Sequence, residues 1–190
     1  TSIGYYKSDP DKRTQSNIKA EMDYGLAEKK FRGFVNYYNK LENIHHSELA
    51  LCGGRQALQF NGNNPINKWV NTVSTLFFED NYMKLYESNF VGGIFNREWF
   101  NGFWLKTELY YSERKPLFNH TDYVTLNVDD KTYTSNNPLA PEVENSAAIV
   151  KHNLVKTRLG AKFNFGQEYW LRPDGKYNLP NNKYPTLQIN

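Results

Sequence analysis

From His152 to Phe165 the chain alternates residue by residue, and a period of two is the signature of a β-strand whose faces meet different surroundings. Val155, Thr157, Leu159, Ala161, Phe163 and Phe165 fall on one side, and Lys156, Arg158, Gly160, Lys162 and Asn164 on the other. The same rhythm runs from Phe103 to Ser112, where Phe103, Leu105, Thr107, Leu109 and Tyr111 oppose Trp104, Lys106, Glu108, Tyr110 and Ser112. It recurs from Ile18 to Tyr24, and less regularly over Phe31–Lys40 and Ser47–Phe60. Phe90–Trp99 reads as a strand interrupted by Gly92 and Gly93, a pair that predicts a bend or a close approach of backbone.

Composition narrows what such strands build. Aromatic residues make up 16% of the 190, too many for a disordered chain. The longest apolar runs fall far short of the roughly 18 residues that a membrane-spanning helix needs. The net charge of +3, from 23 basic and 20 acidic residues, is too small to argue for a nucleic-acid partner. A single cysteine, Cys52, excludes a disulfide framework and a cysteine-based zinc site within this chain. Tyr184–Asn190 alternates like a strand and has no later segment to pair with, so the chain is expected to be a segment of a longer protein.

Turns are predicted at Gly25–Lys30 and at Asn101-Gly102, a strong two-residue hairpin signal. Two connections read as long loops, Lys115–Lys151 and Gly166–Lys183. Short turns at one end and long loops at the other match the layout of outer-membrane barrels. One segment departs from the β pattern. After Asn64-Pro65, the apolar residues Ile66, Trp69, Val70, Val73, Leu76 and Phe77 recur at helical spacing, predicting one amphipathic helix over Pro65–Glu87, with a break near Asp80-Asn81, packed over a sheet or a barrel mouth. Only Lys68 and Lys84 supply positive charge there, which disfavours a helix lying on a membrane surface.

The chemistry-bearing residues form no catalytic motif. His45, His46 and Glu48 are the one compact set of metal-ligand types, but adjacent strand residues point to opposite faces, and a polar hairpin tip is expected there. Asp129-Asp130 lacks the spaced ligands of a calcium loop. Glu21, Asp23, Glu98 and Glu108 are candidates for a carboxylate pair of the glycoside-hydrolase kind, and are expected instead to line a polar interior with Arg97, Lys106, Lys156, Arg158 and Lys162. No cofactor, metal or catalytic residue is therefore expected. Aromatics gather towards strand ends, as at Tyr37-Tyr38, Trp99-Phe100 and Tyr110-Tyr111, in the manner of interfacial girdles.

Several segments resemble the barrel region of the DUF5686 family. They are Gly53-Gly54-Arg55 with Gln59-Phe60-Asn61, Asn64-Pro65-Ile66, Asn81-Tyr82-Met83-Lys84-Leu85-Tyr86, Asn101-Gly102, and Arg114-Lys115-Pro116-Leu117 with Asn119–Tyr123. The series continues through Phe163–Tyr169, Arg172-Pro173, Lys176, Leu179 and Lys183–Leu187, so the likeness runs from about Tyr24 to the end. The resemblance implies a protein of Bacteroidota in which a carboxypeptidase-regulatory-like domain, absent here, precedes an outer-membrane β-barrel. It implies an all-β fold with one helical insertion, an antiparallel transmembrane barrel of which this chain is part. Lys106, Glu108, Lys156, Arg158 and Lys162 would then face the lumen, and Leu105, Leu109, Val155, Leu159 and Phe163 the lipid. The expected role is non-enzymatic, in transport, assembly or scaffolding, with outer-membrane lipid and other outer-membrane or periplasmic proteins as partners. Two other classes stay open: a soluble secreted β-sandwich binding glycans through exposed aromatics, and an enzyme with paired strand carboxylates.

Overall fold

The computed structural model describes residues 1–25, 28–62, 65–120, 122–125, 132–143, 145–180 and 183–189. In chain order the elements are β1 (Ser2–Asp9), β2 (Thr14–Gly25), β3 (Lys30–Glu42), β4 (Ser47–Gln59), α1 (Lys68–Phe78), β5 (Leu85–Phe100), β6 (Phe103–Pro116), β7 (His152–Asn164), β8 (Tyr169–Arg172), β9 (Gly175–Asn178) and β10 (Thr186–Ile189). Eight strands form one sheet in the order β1-β2-β3-β4-β5-β6-β7-β10, antiparallel at every pairing, and β8-β9 is a separate hairpin. The sheet is open: β1 lies at one edge and β10 at the other, and no pairing among the described residues joins them. The fold is thus mostly antiparallel β with one short helix.

The alternation expected for β6 and β7 is the observed register. Leu105 lies opposite Ala161, Thr107 opposite Leu159, and Glu108 opposite Arg158. Gly92 marks the close approach its type predicted, since a Cβ there would stand 2.8 Å from the Tyr110 ring. The segment Ser2–Asp9, unassigned by pattern, pairs with β2, and the stretch expected to be a loop over Gly166–Lys183 contains the β8-β9 hairpin.

The helix is shorter than Pro65–Glu87. Asn67 caps it, its Oδ1 accepting the Trp69 N–H at 2.8 Å. Glu79 ends it in the left-handed conformation, with φ 59°. The residues beyond are drawn away by the loop that follows β6. Thr134 Oγ1 accepts the Asn81 N–H (2.6 Å) and Asn136 Oδ1 accepts the Leu85 N–H (2.8 Å), after which Leu85 enters the β4 ladder. Nor does α1 bury an apolar face: Ser74 is its one buried residue, while Trp69, Val70 and Val73 are exposed. Among the described residues no helix is long and apolar enough to cross a membrane, which says nothing of crossing by strands.

Burial runs opposite to that of a water-soluble domain. Among the described residues Tyr86 is the one apolar side chain that is buried, whereas Glu87, Ser88, Glu98, Ser112 and Lys176 all are. A folded monomer of this mass exposes about 9,400 Å². This chain exposes 13023 Å², much of it apolar.

Candidate functional site

The two faces of the sheet differ in chemistry. On one, β6 and β7 bring together Trp104 and Lys162, Glu108 and Arg158, and Tyr110 and Lys156, with Lys106 opposite Gly160. The Glu108 carboxylate accepts from Lys106 at 2.7 Å and from Arg158 at 3.0 Å, so the charges of this face are organised in pairs. Lys106, Glu108, Lys156, Arg158 and Lys162 all share this side by register. Leu105, Leu109, Val155, Leu159 and Phe163 share the other, where Val91 and Leu51 continue the apolar surface across β5 and β4. Leu159 is 61% exposed and Val91 59%.

Arg97 departs from the expected interior. It lies opposite Leu105 on the apolar side, with its guanidinium over the Trp99 ring at 5.4 Å. A strict period-two count from Asn96, on the charged side, puts Arg97 there, and the register shifts just beyond it, between Glu98 and Phe100.

The apolar surface is bounded at both ends. At the short-turn end Phe100, Phe103, Phe163 and Phe165 form a chain of ring contacts, with centroids 4.6 Å apart for Phe100–Phe103 and 4.5 Å for Phe163–Phe165. At the long-loop end the same face turns polar, where Glu113 accepts from Lys115 (2.8 Å), Lys151 (2.7 Å) and Asn89 (3.0 Å). From Phe103 to Tyr111 the apolar stretch is about 27 Å along the strand, or about 21 Å along the axis of a barrel whose strands tilt by about 40°.

The charged side has a second centre beside the short turns. Glu98 is 1% exposed, and its Oε1 accepts from Lys176 Nζ on β9 (2.7 Å) and from the Gly102 N–H (2.8 Å). Asn178 reaches its Oε2 at 3.4 Å, and His46 Nε2 stands 3.8 Å from it. Asn43, in the turn after β3, fastens the same hairpin: its carbonyl accepts the Lys176 N–H (3.1 Å), and its amide donates to Lys12 O (2.7 Å) and Arg13 O (3.0 Å). The β8-β9 hairpin is therefore tied to three consecutive short turns. Sequence pattern marked Glu98 as one of four interior carboxylates but gave no sign of Lys176, which lies on an element that it read as loop.

Three of the four carboxylates each hold their own cations: Glu21 pairs with Lys19 (2.6 Å), Glu98 with Lys176, and Glu108 with Lys106 and Arg158. The two imidazoles of the β3-β4 turn diverge, His45 Nδ1 towards Glu42 (3.1 Å) and His46 onto the Trp104 ring (5.3 Å). Burial holds the His46 pKa below the usual histidine value, outweighing the pull of the Glu98 charge. No group of three or more histidine, cysteine or acidic side chains among the described residues could hold a metal ion. Asn64, Asp129 and Asp130 lie outside the described residues.

No curated protein matches the chain, and no solved structure does. A model of one protein family, described as the C-terminal domain of a family of unknown function (DUF5686), matches residues 1–190, and the chain accordingly belongs to the DUF5686 family.

Proposed function

We propose that this chain is part of the wall of a bacterial outer-membrane β-barrel. In this reading its Leu105, Leu109, Val155, Leu159 and Phe163 side faces lipid, and its Lys106, Glu108, Lys156, Arg158 and Lys162 side faces a polar lumen. The observation that carries the reading is the inversion of burial: exposed Leu, Val and Ile on one face, and buried Glu98, Ser112 and Lys176 elsewhere. In water such an apolar face would be a strong liability for aggregation, and in a bilayer it is the stable arrangement. An aromatic border at one end and an ion-paired border at the other fit the apolar band about 25 Å tall of such barrels. The exposed Trp69, Val70 and Val73 of α1 reverse the expectation drawn from its few positive charges, since an apolar face left open fits an element beside the membrane surface.

The role is non-enzymatic, in transport, assembly or scaffolding, with outer-membrane lipid and other outer-membrane or periplasmic proteins as partners. The β1-β2, β3-β4 and β5-β6 turns and the β8-β9 hairpin would lie on the periplasmic side, and α1 with the short β2-β3 turn on the outer side. In the intact protein, from a member of Bacteroidota, a carboxypeptidase-regulatory-like domain would precede the barrel.

The test is the gel mobility of the native protein from isolated outer membranes, with and without boiling in SDS. A band that shifts on heating supports a closed barrel of which this chain is part. A protein found in the soluble fraction with no heat shift overturns the reading and returns attention to a secreted glycan-binding sandwich.

A further inference from the structure

Strands β6 and β7 carry one cation at each of four successive levels of their charged face. The pairs are Tyr110 with Lys156, Glu108 with Arg158, Lys106 with Gly160, and Trp104 with Lys162. Every second residue of a strand faces the same way, so the levels follow one another at about 7 Å and the row is about 20 Å long. All four cationic side chains are exposed. The row appears only in the register, because Lys106 on β6 fills the level that Gly160 leaves without a side chain on β7. It runs from the phenylalanine border to near the ion-paired border, so it covers most of the span that the apolar stretch Phe103–Tyr111 covers on the other face.

Little negative charge stands beside the row. On β5 the residues of the same face are Asn96, Ile94 and Gly92, opposite Lys106, Glu108 and Tyr110, and on β10 Gln188 lies opposite Lys162. Glu108 is the one acid within the row, and Lys106 (2.7 Å) and Arg158 (3.0 Å) share it. Two further acids of this side are already held, Glu98 by Lys176 and Glu21 by Lys19. Among the described residues Lys156 and Lys162 are left without an acidic partner. A face lined by one sign of charge raises the local concentration of ions of the other sign, and most strongly where low-dielectric walls enclose it.

We propose that the β6-β7 wall is a track for anions, along which small solutes carrying carboxylate or phosphate groups move between the two ends of the barrel. The spacing is what distinguishes a track from a pocket. A tight anion site converges several donors on one point, whereas these cations stand in line, each a short step from the next. A row of weak sites suits passage, since an ion must leave as readily as it enters, and lysine and arginine linings are what anion pores use. The inference rests on the barrel reading, which it narrows from transport, assembly or scaffolding to the passage of anionic solutes.

The experiment is the zero-current potential of the intact protein, purified from outer membranes and reconstituted in planar lipid bilayers under a KCl gradient. Salt is kept at or below about 0.1 M, where the screening length is about 10 Å or more and the row is felt. Chloride is expected to be favoured over potassium by roughly threefold or more, and Lys156→Glu with Lys162→Glu should abolish or reverse that preference. The neutral pair Lys156→Gln with Lys162→Gln should fall between the two. None of these substitutions touches the Lys106–Glu108–Arg158 ion pairs, and the SDS heat shift of each variant checks that it is folded. A heat-shifting protein that prefers potassium, shows no preference, keeps its preference after charge reversal, or does not conduct at all overturns the proposal and leaves the barrel reading standing. A soluble protein with no heat shift overturns both.

Discussion

Lys176 donates from Nζ to Glu98 Oε1 at 2.7 Å, joining two side chains 78 residues apart in sequence that are 8% and 1% exposed. This pair, with the Gly102 N–H on the same oxygen, is what holds the β8-β9 hairpin against the turn between β5 and β6. Breaking a buried pair by removing one partner leaves the other charge uncompensated, which typically costs about 3–5 kcal/mol. Lys176→Met should destabilise the folded protein by that order in detergent-phase urea unfolding. Adding Glu98→Gln should restore a large part of the loss. If the single substitution leaves the unfolding midpoint unchanged, the pair does not fasten the hairpin.

The neighbouring His46 adds a pH dependence. Burial lowers its pKa in the folded state, against the pull of Glu98 and with Lys40 and Lys176 opposing protonation too. The unfolded chain therefore binds the proton more readily than the folded one below the ordinary histidine pKa of about 6.5, and stability rises with pH in that window. Acidification from neutral pH through about 6.5 and below should lower the melting temperature. His46→Gln, which has no proton to take up, should flatten that part of the profile. A variant that falls as steeply as the wild-type protein between neutral and mildly acid pH would remove His46 as the cause.

The strands of β6 and β7 were legible because their two faces differ in chemistry from Phe103 to Tyr111 and across the residues paired with them, and a period of two survives there without interruption. The existence of α1 was legible for the corresponding reason, its 3.6-residue spacing. The break expected near Asp80-Asn81 was legible too, since α1 ends at Glu79; that Leu85 onwards joins the sheet was not, because Asn136, whose amide helps lead Leu85 in, is 51 residues away. Glu98 with Lys176 was hidden in the same way. Each residue carries an ordinary surface charge in the sequence, and only the folding of a short hairpin onto the turns turns two surface types into a buried pair. The expected lumenal place of Arg97 failed on phase, one residue out from Asn96, where an aromatic neighbour makes a cation tolerable on an apolar face.

The Asn101-Gly102 turn supports a third prediction. Gly102 adopts φ 81°, and a Cβ there would stand 2.4 Å from Asn164 O, which belongs to the end of β7. Its carbonyl accepts the Asn164 N–H at 2.8 Å, so the turn is also a joint between the β5-β6 hairpin and β7. Gly102→Ala therefore combines backbone strain of about 1–3 kcal/mol with a clash that parts the joint. A loss of at least that order is expected in urea unfolding, against a much smaller loss for Gly62→Ala, where a Cβ meets nothing within 4 Å. Equal effects of the two substitutions would mean that the turn tolerates a side chain.

The orientation of the sheet can be tested at Leu159 and its neighbours. Leu159 lies opposite Thr107 on the apolar side, midway between the phenylalanine cluster and the ion-paired border around Glu113. A charge on the lipid face of an outer-membrane barrel costs about 2–4 kcal/mol near the bilayer midplane. Leu159→Arg should accordingly lower the yield of heat-modifiable protein in outer membranes. Lys156→Gln, three residues away on the charged side, should leave that yield near the wild-type level. The opposite ranking would invert the assignment of lipid and lumen. Equal, undiminished yields would mean that neither side meets hydrocarbon, for a guanidinium at Leu159 has no acidic partner across the pair at Thr107 and no short route past the aromatic cluster to water.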